Sequence, residues 1–132
     1  MFQWLTKRLD RRHTLGRRGE RVAARFLRRH GYRILGRNVR SKSGEIDLVA
    51  LDPNRKTIVV VEVKSGSGGP IPPEVHVNFY KQRKLVVQAV TLAKKYRLTD
   101  RPFRIDVVAV DLPDEGGKHA VRHYVGAVQP HL

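Results

Sequence analysis

The sequence predicts an α/β domain with a mixed central sheet, in the order helix, three strands, helix, two strands. Three observations predict it. Residues 15–30 repeat their apolar positions at helical spacing. Residues 44–51 and 57–65 are branched apolar runs joined by Asp52-Pro53-Asn54-Arg55, a turn sequence. A second helical pattern over 77–98 then leads into an alternating segment at 103–110 and a last strand at 120–125.

The chain has 132 residues, enough for one domain, with 1–13 as a basic N-terminal extension and 14–132 as the folded unit. Residues Met1–Arg12 lack the roughly 7–15 residue apolar core of a secretory signal, and no run approaches the ~20 residues of a membrane span. A cytoplasmic protein is expected. With no cysteine, zinc-ribbon, iron–sulfur, thiol and disulfide chemistry are excluded.

The first helix, Leu15 to His30, should end at Gly31. With Glu20 set at zero, Val22, Ala23, Phe26 and Leu27 fall between about −160° and −20° around its axis. Arg17, Arg18, Arg21, Arg25, Arg28 and Arg29 fall between about +60° and +180°. One face is made for a core and the other for a polyanion, with Glu20 on the seam. Residues 1–44 hold fourteen lysines and arginines against two acids, including Arg40 and Lys42. The formal charge of +15 repels itself in a compact state unless a polyanion binds. Nucleic acid, DNA before RNA, is the expected partner, ahead of a membrane surface.

A strand at 32–40 follows, then the two stronger strands, the three forming an antiparallel meander. If the second and third fold about Asn54 and Arg55, paired residue numbers sum to about 109, which sets Asp47 opposite Glu62. Glu62 and Lys64 share a face by alternation. A buried ion network would use the same residues. The matching parity and register favour two carboxylates gripping one hard divalent ion, Mg²⁺ or Mn²⁺, whose charge relieves their repulsion. Such an ion polarises a phosphoryl oxygen and activates a bound water, with Lys64 orienting or deprotonating that water or neutralising the phosphate. Glu45 reads as a flank of the site or a Lys64 partner.

The segment 66–73 is a glycine- and proline-rich loop. The second helix buries Leu85, Val86, Ala89, Ala93 and Tyr96. The six histidines show no metal spacing; His30 reads as packing on the first helix, and His76 lies next to the glycine loop. Phe79 and Tyr80, at a helix start beside that loop, are candidates for exposed stacking on unpaired bases.

The Asp47…Glu62-x-Lys64 arrangement resembles the core of the restriction-endonuclease-like PD-(D/E)xK superfamily, and archaeal Holliday-junction resolvases are similar in it. The ordered series Gly19-Glu20, Asn38-x-Arg40, Gly44-Glu-Ile-Asp47, Val61-Glu-Val-Lys64, Lys81-Gln-Arg-Lys and Arg104-Ile-Asp106 looks like the UPF0102 (YraN-like) family of bacterial predicted endonucleases. The resemblance implies an αβββαβ core flanked by helices, Asp47 and Glu62 as metal ligands, Lys64 as the catalytic lysine, and Glu20 as an acid serving a second metal or a water. Gln82 matches a polar residue of the second helix in some members, and a satisfied core glutamine is nearly as strong a reading. After the lysine, relatives commonly continue Thr-Arg, whereas this chain has Ser65-Gly66. A magnesium-dependent DNA endonuclease, in a possible homodimer, is expected. The alternative is a non-catalytic nucleic-acid-binding module of a DNA-processing complex.

Overall fold

A computed structural model describes residues 14–113 and 117–129. The elements are α1 (Thr14–Arg29), β1 (Arg33–Ser41), β2 (Gly44–Leu51), β3 (Ile58–Gly66), a 3₁₀ turn (Pro73–His76), α2 (Phe79–Lys95), β4 (Phe103–Asp111) and β5 (Ala120–Val128). They form one five-stranded sheet in sequential order. The β1–β2–β3 meander is antiparallel, β4 lies parallel to β3, and β5 is antiparallel to β4. Parallel neighbours need a crossover, and α2 supplies it.

The helices cover opposite faces of the sheet. Ala23, Ala24 and Leu27 of α1 pack on Leu48, Ala50, Val59, Val61, Val108 and Val110. Leu85, Val86, Ala89 and Leu92 of α2 pack on Val49, Leu51, Ile58, Val60, Ile105 and Val128. Because β3 and β4 are sandwiched, their apolar runs 58–61 and 107–110 are buried on both sides. The mixed, two-faced arrangement is consistent with a restriction-endonuclease-like core.

Helix α1 stops where Gly31 takes a φ of +90° and the Tyr32 N–H donates to the Leu27 carbonyl, 3.0 Å away. Two expectations for α1 need correction. Ala24, at about +40° in the helical projection, is fully buried beside Ala23 and Leu27, so Glu20 sits at the centre of the buried face and not on its seam. His30 is exposed, although its ring stacks on Phe26 at 4.2 Å. Helix α2 starts at Phe79 and not Val77, because the Asn78 side chain accepts from the Lys81 N–H at 2.9 Å and caps it. The last strand reaches Val128, carried past a register shift by Gly126 at φ +61°. The proposed extension 1–13 lies outside the described residues. Among those described, no helix is long and apolar enough to cross a membrane.

Candidate active site at the fork between two strands

The β2–β3 register follows the sum of 109 through Leu51↔Ile58, Ala50↔Val59, Val49↔Val60 and Leu48↔Val61. There the pairing ends. Strand β2 continues beside β1 down to Gly44, while β3 continues beside β4 up to Gly66. The sheet forks, and Asp47 and Glu62 are the first residues inside the fork. They are therefore not a ladder pair, as the simple hairpin suggested. Asp47 Oδ2 instead accepts the Val63 N–H at 2.8 Å, replacing the missing ladder bond.

The pleat also inverts at this level. Ile46 belongs to the α2-side core and Leu48 to the α1-side core, although two residues apart they should share a face. Asn38, the β1 residue opposite Asp47 by register, is left-handed at φ +49°, which absorbs the irregularity. Asp47 is thus turned sideways toward β3, where the charge of Glu62 acts on its carboxyl.

Burial holds the Asp47 carboxyl well above the ordinary carboxylate range, and the Glu62 charge adds to the rise, against the opposing pull of the Val63 N–H. Glu62 itself is buried and faces two ammonium groups: Lys64 Nζ at 3.4 Å and Lys81 Nζ at 3.2 Å, both on Oε2. Glu20 enters from α1. Gly19 makes this possible, since a Cβ there would stand 1.7 Å from Ser65 Oγ. Burial raises the Glu20 carboxyl, the Asn38 side chain opposes that, Glu45 adds to the rise, and Arg37 and Arg17 lower it.

Among the described residues, four buried side-chain polar atoms lack a hydrogen-bond partner. Three of them, Glu20 Oε1, Asn38 Nδ2 and Arg17 Nε, belong to this one neighbourhood. Orphaned buried atoms in one place indicate an unaccounted water or ion. Two buried carboxylates that raise one another's cost, with an orphaned third oxygen on Glu20, fit magnesium, which takes one or two protein carboxylates and fills its remaining positions with water and phosphate. The Glu20 charge acts on Asp47, yet no group of three carboxylate or imidazole side chains among the described residues is arranged to hold an ion between them. Asp47 and Glu62 would hold the metal directly, and Glu20 would reach it only through water.

The profile of the family described as "Uncharacterised protein family UPF0102" matches residues 19–110, which span α1 from Gly19 through most of β4. The chain belongs to the UPF0102 family. It is 43% identical over 125 residues to a UPF0102 protein of Pelobacter propionicus, covering 94% of this chain and 88% of that one. A UPF0102 protein of Geobacter metallireducens is 45% identical over 98 residues, 74% and 79% of the two chains. One from Marinobacter nauticus is 36% identical over 116 residues, 87% and 92%.

Other residues of this UPF0102 chain fall as follows. Arg18, Arg21, Arg25, Arg28, Arg40 and Lys42 are exposed, while Arg17 is half-buried. Glu45 pairs with Arg40 at 3.0 Å and not with Lys64. Gln82 is half-buried, donates to the Val77 carbonyl at 3.2 Å and lines a recess with Val107, Tyr124 and Val128.

Sequence reasoning gave Lys81 and Asn38 no role at the site. A lysine one turn into a helix carries no local signal that it reaches a strand carboxylate. It also missed Asp106, fully buried, which accepts from Arg104 Nε and Nη2 and the Gly126 N–H and lies 2.7 Å from His123 Nε2. Burial alone would raise the Asp106 carboxyl; the His123 and Arg104 bonds more than reverse that. Arg104 also donates to Asp52 and Tyr32, tying the β2–β3 turn to β4.

Proposed function

We propose that this UPF0102 chain is a divalent-metal-dependent endonuclease that hydrolyses phosphodiester bonds in DNA, with the fork between β2 and β3 as its catalytic centre. The observation that carries this reading is the placement of two buried, mutually repelling carboxylates, Asp47 and Glu62, at the fork with Lys64 3.4 Å from Glu62. Folding tolerates two like charges in one buried place only at a cost, and a divalent ion removes that cost. The Asp…Glu-x-Lys set resembles that of the PD-(D/E)xK superfamily and of archaeal Holliday-junction resolvases, which favours structured DNA as substrate.

In hydrolysis, a water oxygen bonds to phosphorus, one P–O ester bond breaks, and the leaving oxygen takes a proton. A metal ion bound at Asp47 and Glu62 would supply Lewis acidity toward the phosphoryl oxygen and a more acidic water. The chain's own residues do the rest. The arginines of α1, with Arg40 and Lys42, hold flanking phosphates. Lys64 Nζ, freed from Glu62, faces the charge that builds on the non-bridging oxygens. Asn38 and Glu20 form the polar wall that positions water.

A second reading is a binding module without catalysis, and it has one observation in its favour: Lys64 and Lys81 already neutralise Glu62. The test is incubation of branched, flapped, single-stranded and duplex DNA with Mg²⁺ or Mn²⁺. Cleavage that Asp47→Ala and Lys64→Ala each abolish, with DNA binding retained, supports the nuclease. Binding without cleavage by the intact chain supports the module. Cleavage unchanged by either substitution would sink the proposed site.

A further inference from the structure

The most exposed large apolar side chains among the described residues are neighbours: Tyr80 at 77% and Phe79 at 71%. Both stand on the first turn of α2, which Asn78 caps. Two adjacent aromatic rings left in water forgo a substantial burial gain, so their position calls for a ligand with flat apolar faces. The next residue, Lys81, reaches Glu62 at 3.2 Å, so the first turn of α2 lies beside the carboxylate fork.

The charge around the rings identifies the ligand. Helix α2 contains no acidic residue, and Lys81, Arg83 and Lys84 follow the aromatics within two turns. The Arg83 guanidinium lies 5.8 Å from the centre of the Phe79 ring. Lysine is depleted in protein–protein interfaces, whereas aromatics interleaved with cations match a strand whose bases stack and whose phosphates need neutralising.

We infer that the first turn of α2 is a stacking platform for unpaired bases, so that the site takes DNA carrying unpaired nucleotides next to the scissile phosphate in preference to continuous duplex. This rests on the nuclease reading for its consequence, but the platform itself is tested without metal. A paired base in a duplex has both faces covered by its neighbours and offers nothing to Phe79 or Tyr80. A flap, gap or displaced strand offers a free face.

The experiment measures affinity in chelator by fluorescence anisotropy, on a gapped duplex and on a continuous duplex of equal length. The gapped DNA carries 2-aminopurine in its unpaired segment as a stacking probe. Phe79→Ala and Tyr80→Ala should each weaken gapped-DNA binding roughly 5- to 100-fold, and abolish the change in 2-aminopurine emission, while duplex affinity stays within about twofold. The ring-retaining variants Phe79→Tyr and Tyr80→Trp should bind like the parent. Equal losses on both DNAs, no loss on either, or a change only in the protein's own association state would each overturn the platform. Absence of cleavage in a separate magnesium assay would count against the nuclease reading alone.

Discussion

Asp47 is held in a position that its own charge disfavours. Its carboxyl is raised by burial and by Glu62, so the folded state prefers it protonated. The sign of the pH dependence follows. A carboxyl whose folded value lies above its unfolded value contributes stability below the ordinary carboxylate range, and that contribution is lost as pH rises through the raised value. Asp47→Asn removes the titration and keeps an oxygen to accept the Val63 N–H. In chelator, the variant should melt a few degrees above the parent at neutral pH, and the gap should shrink as pH falls to about 4. Added Mg²⁺ should raise the parent's melting temperature and leave the variant's almost unchanged. Melting curves across pH, with and without the ion, check this. Parallel pH profiles would show that Asp47 is not under electrostatic strain.

At the scale of elements, the site depends on how closely α1 approaches β3. Alanine is intrinsically better than glycine within a helix by about 1 kcal/mol, so propensity alone favours Gly19→Ala. The structure opposes it: the new methyl would sit 1.7 Å from Ser65 Oγ and 3.0 Å from Ser65 Cβ. Rotating the hydroxyl away relieves only the first contact, so the helix must back off. Overpacking of this kind costs about 1–3 kcal/mol, which exceeds the propensity gain. Gly19→Ala should therefore destabilise the chain, and adding Ser65→Gly should recover most of the loss in a denaturant-unfolding cycle. A Gly19→Ala variant as stable as the parent would show that the close approach is not required.

That contact marks the boundary of what the sequence made legible. Strand β2 ends where its branched residues said it would, and the register sum of 109 came from centring the turn on Asn54-Arg55, where Arg55 takes a φ of +67°. Local rules determine such features. The fork, the inversion at Asn38 and the reach of Lys81 depend on three elements meeting, and no window along the chain contains all three. The Arg104–Asp106–His123 network was hidden for the same reason, with seventeen residues separating Asp106 from His123.

For the whole molecule, the central quantity is the net charge of +15 and its concentration in the first 44 residues of the sequence. The arginines Arg18, Arg21, Arg25 and Arg28 of α1, together with Arg40 and Lys42, are exposed, and none of Arg18, Arg21 or Arg25 is used by the core. Each phosphate neutralised releases condensed counterions, so the logarithm of affinity should fall linearly with the logarithm of salt, at a slope of about −0.9 per phosphate on duplex DNA. If five or six of these side chains engage the backbone together, the slope for the parent should be roughly −5. Arg21→Ala, on the exposed face and away from every described ion pair, should weaken binding to all DNA sequences alike and make the slope shallower by about 1. The Asp47→Asn variant should leave the slope unchanged, because a carboxyl group neutralises no phosphate and releases no counterion from the DNA. Titrations at several salt concentrations in chelator separate the two surfaces. A slope near zero would mean that the basic face does not meet a polyanion, and the fork would then lack the means to gather its substrate.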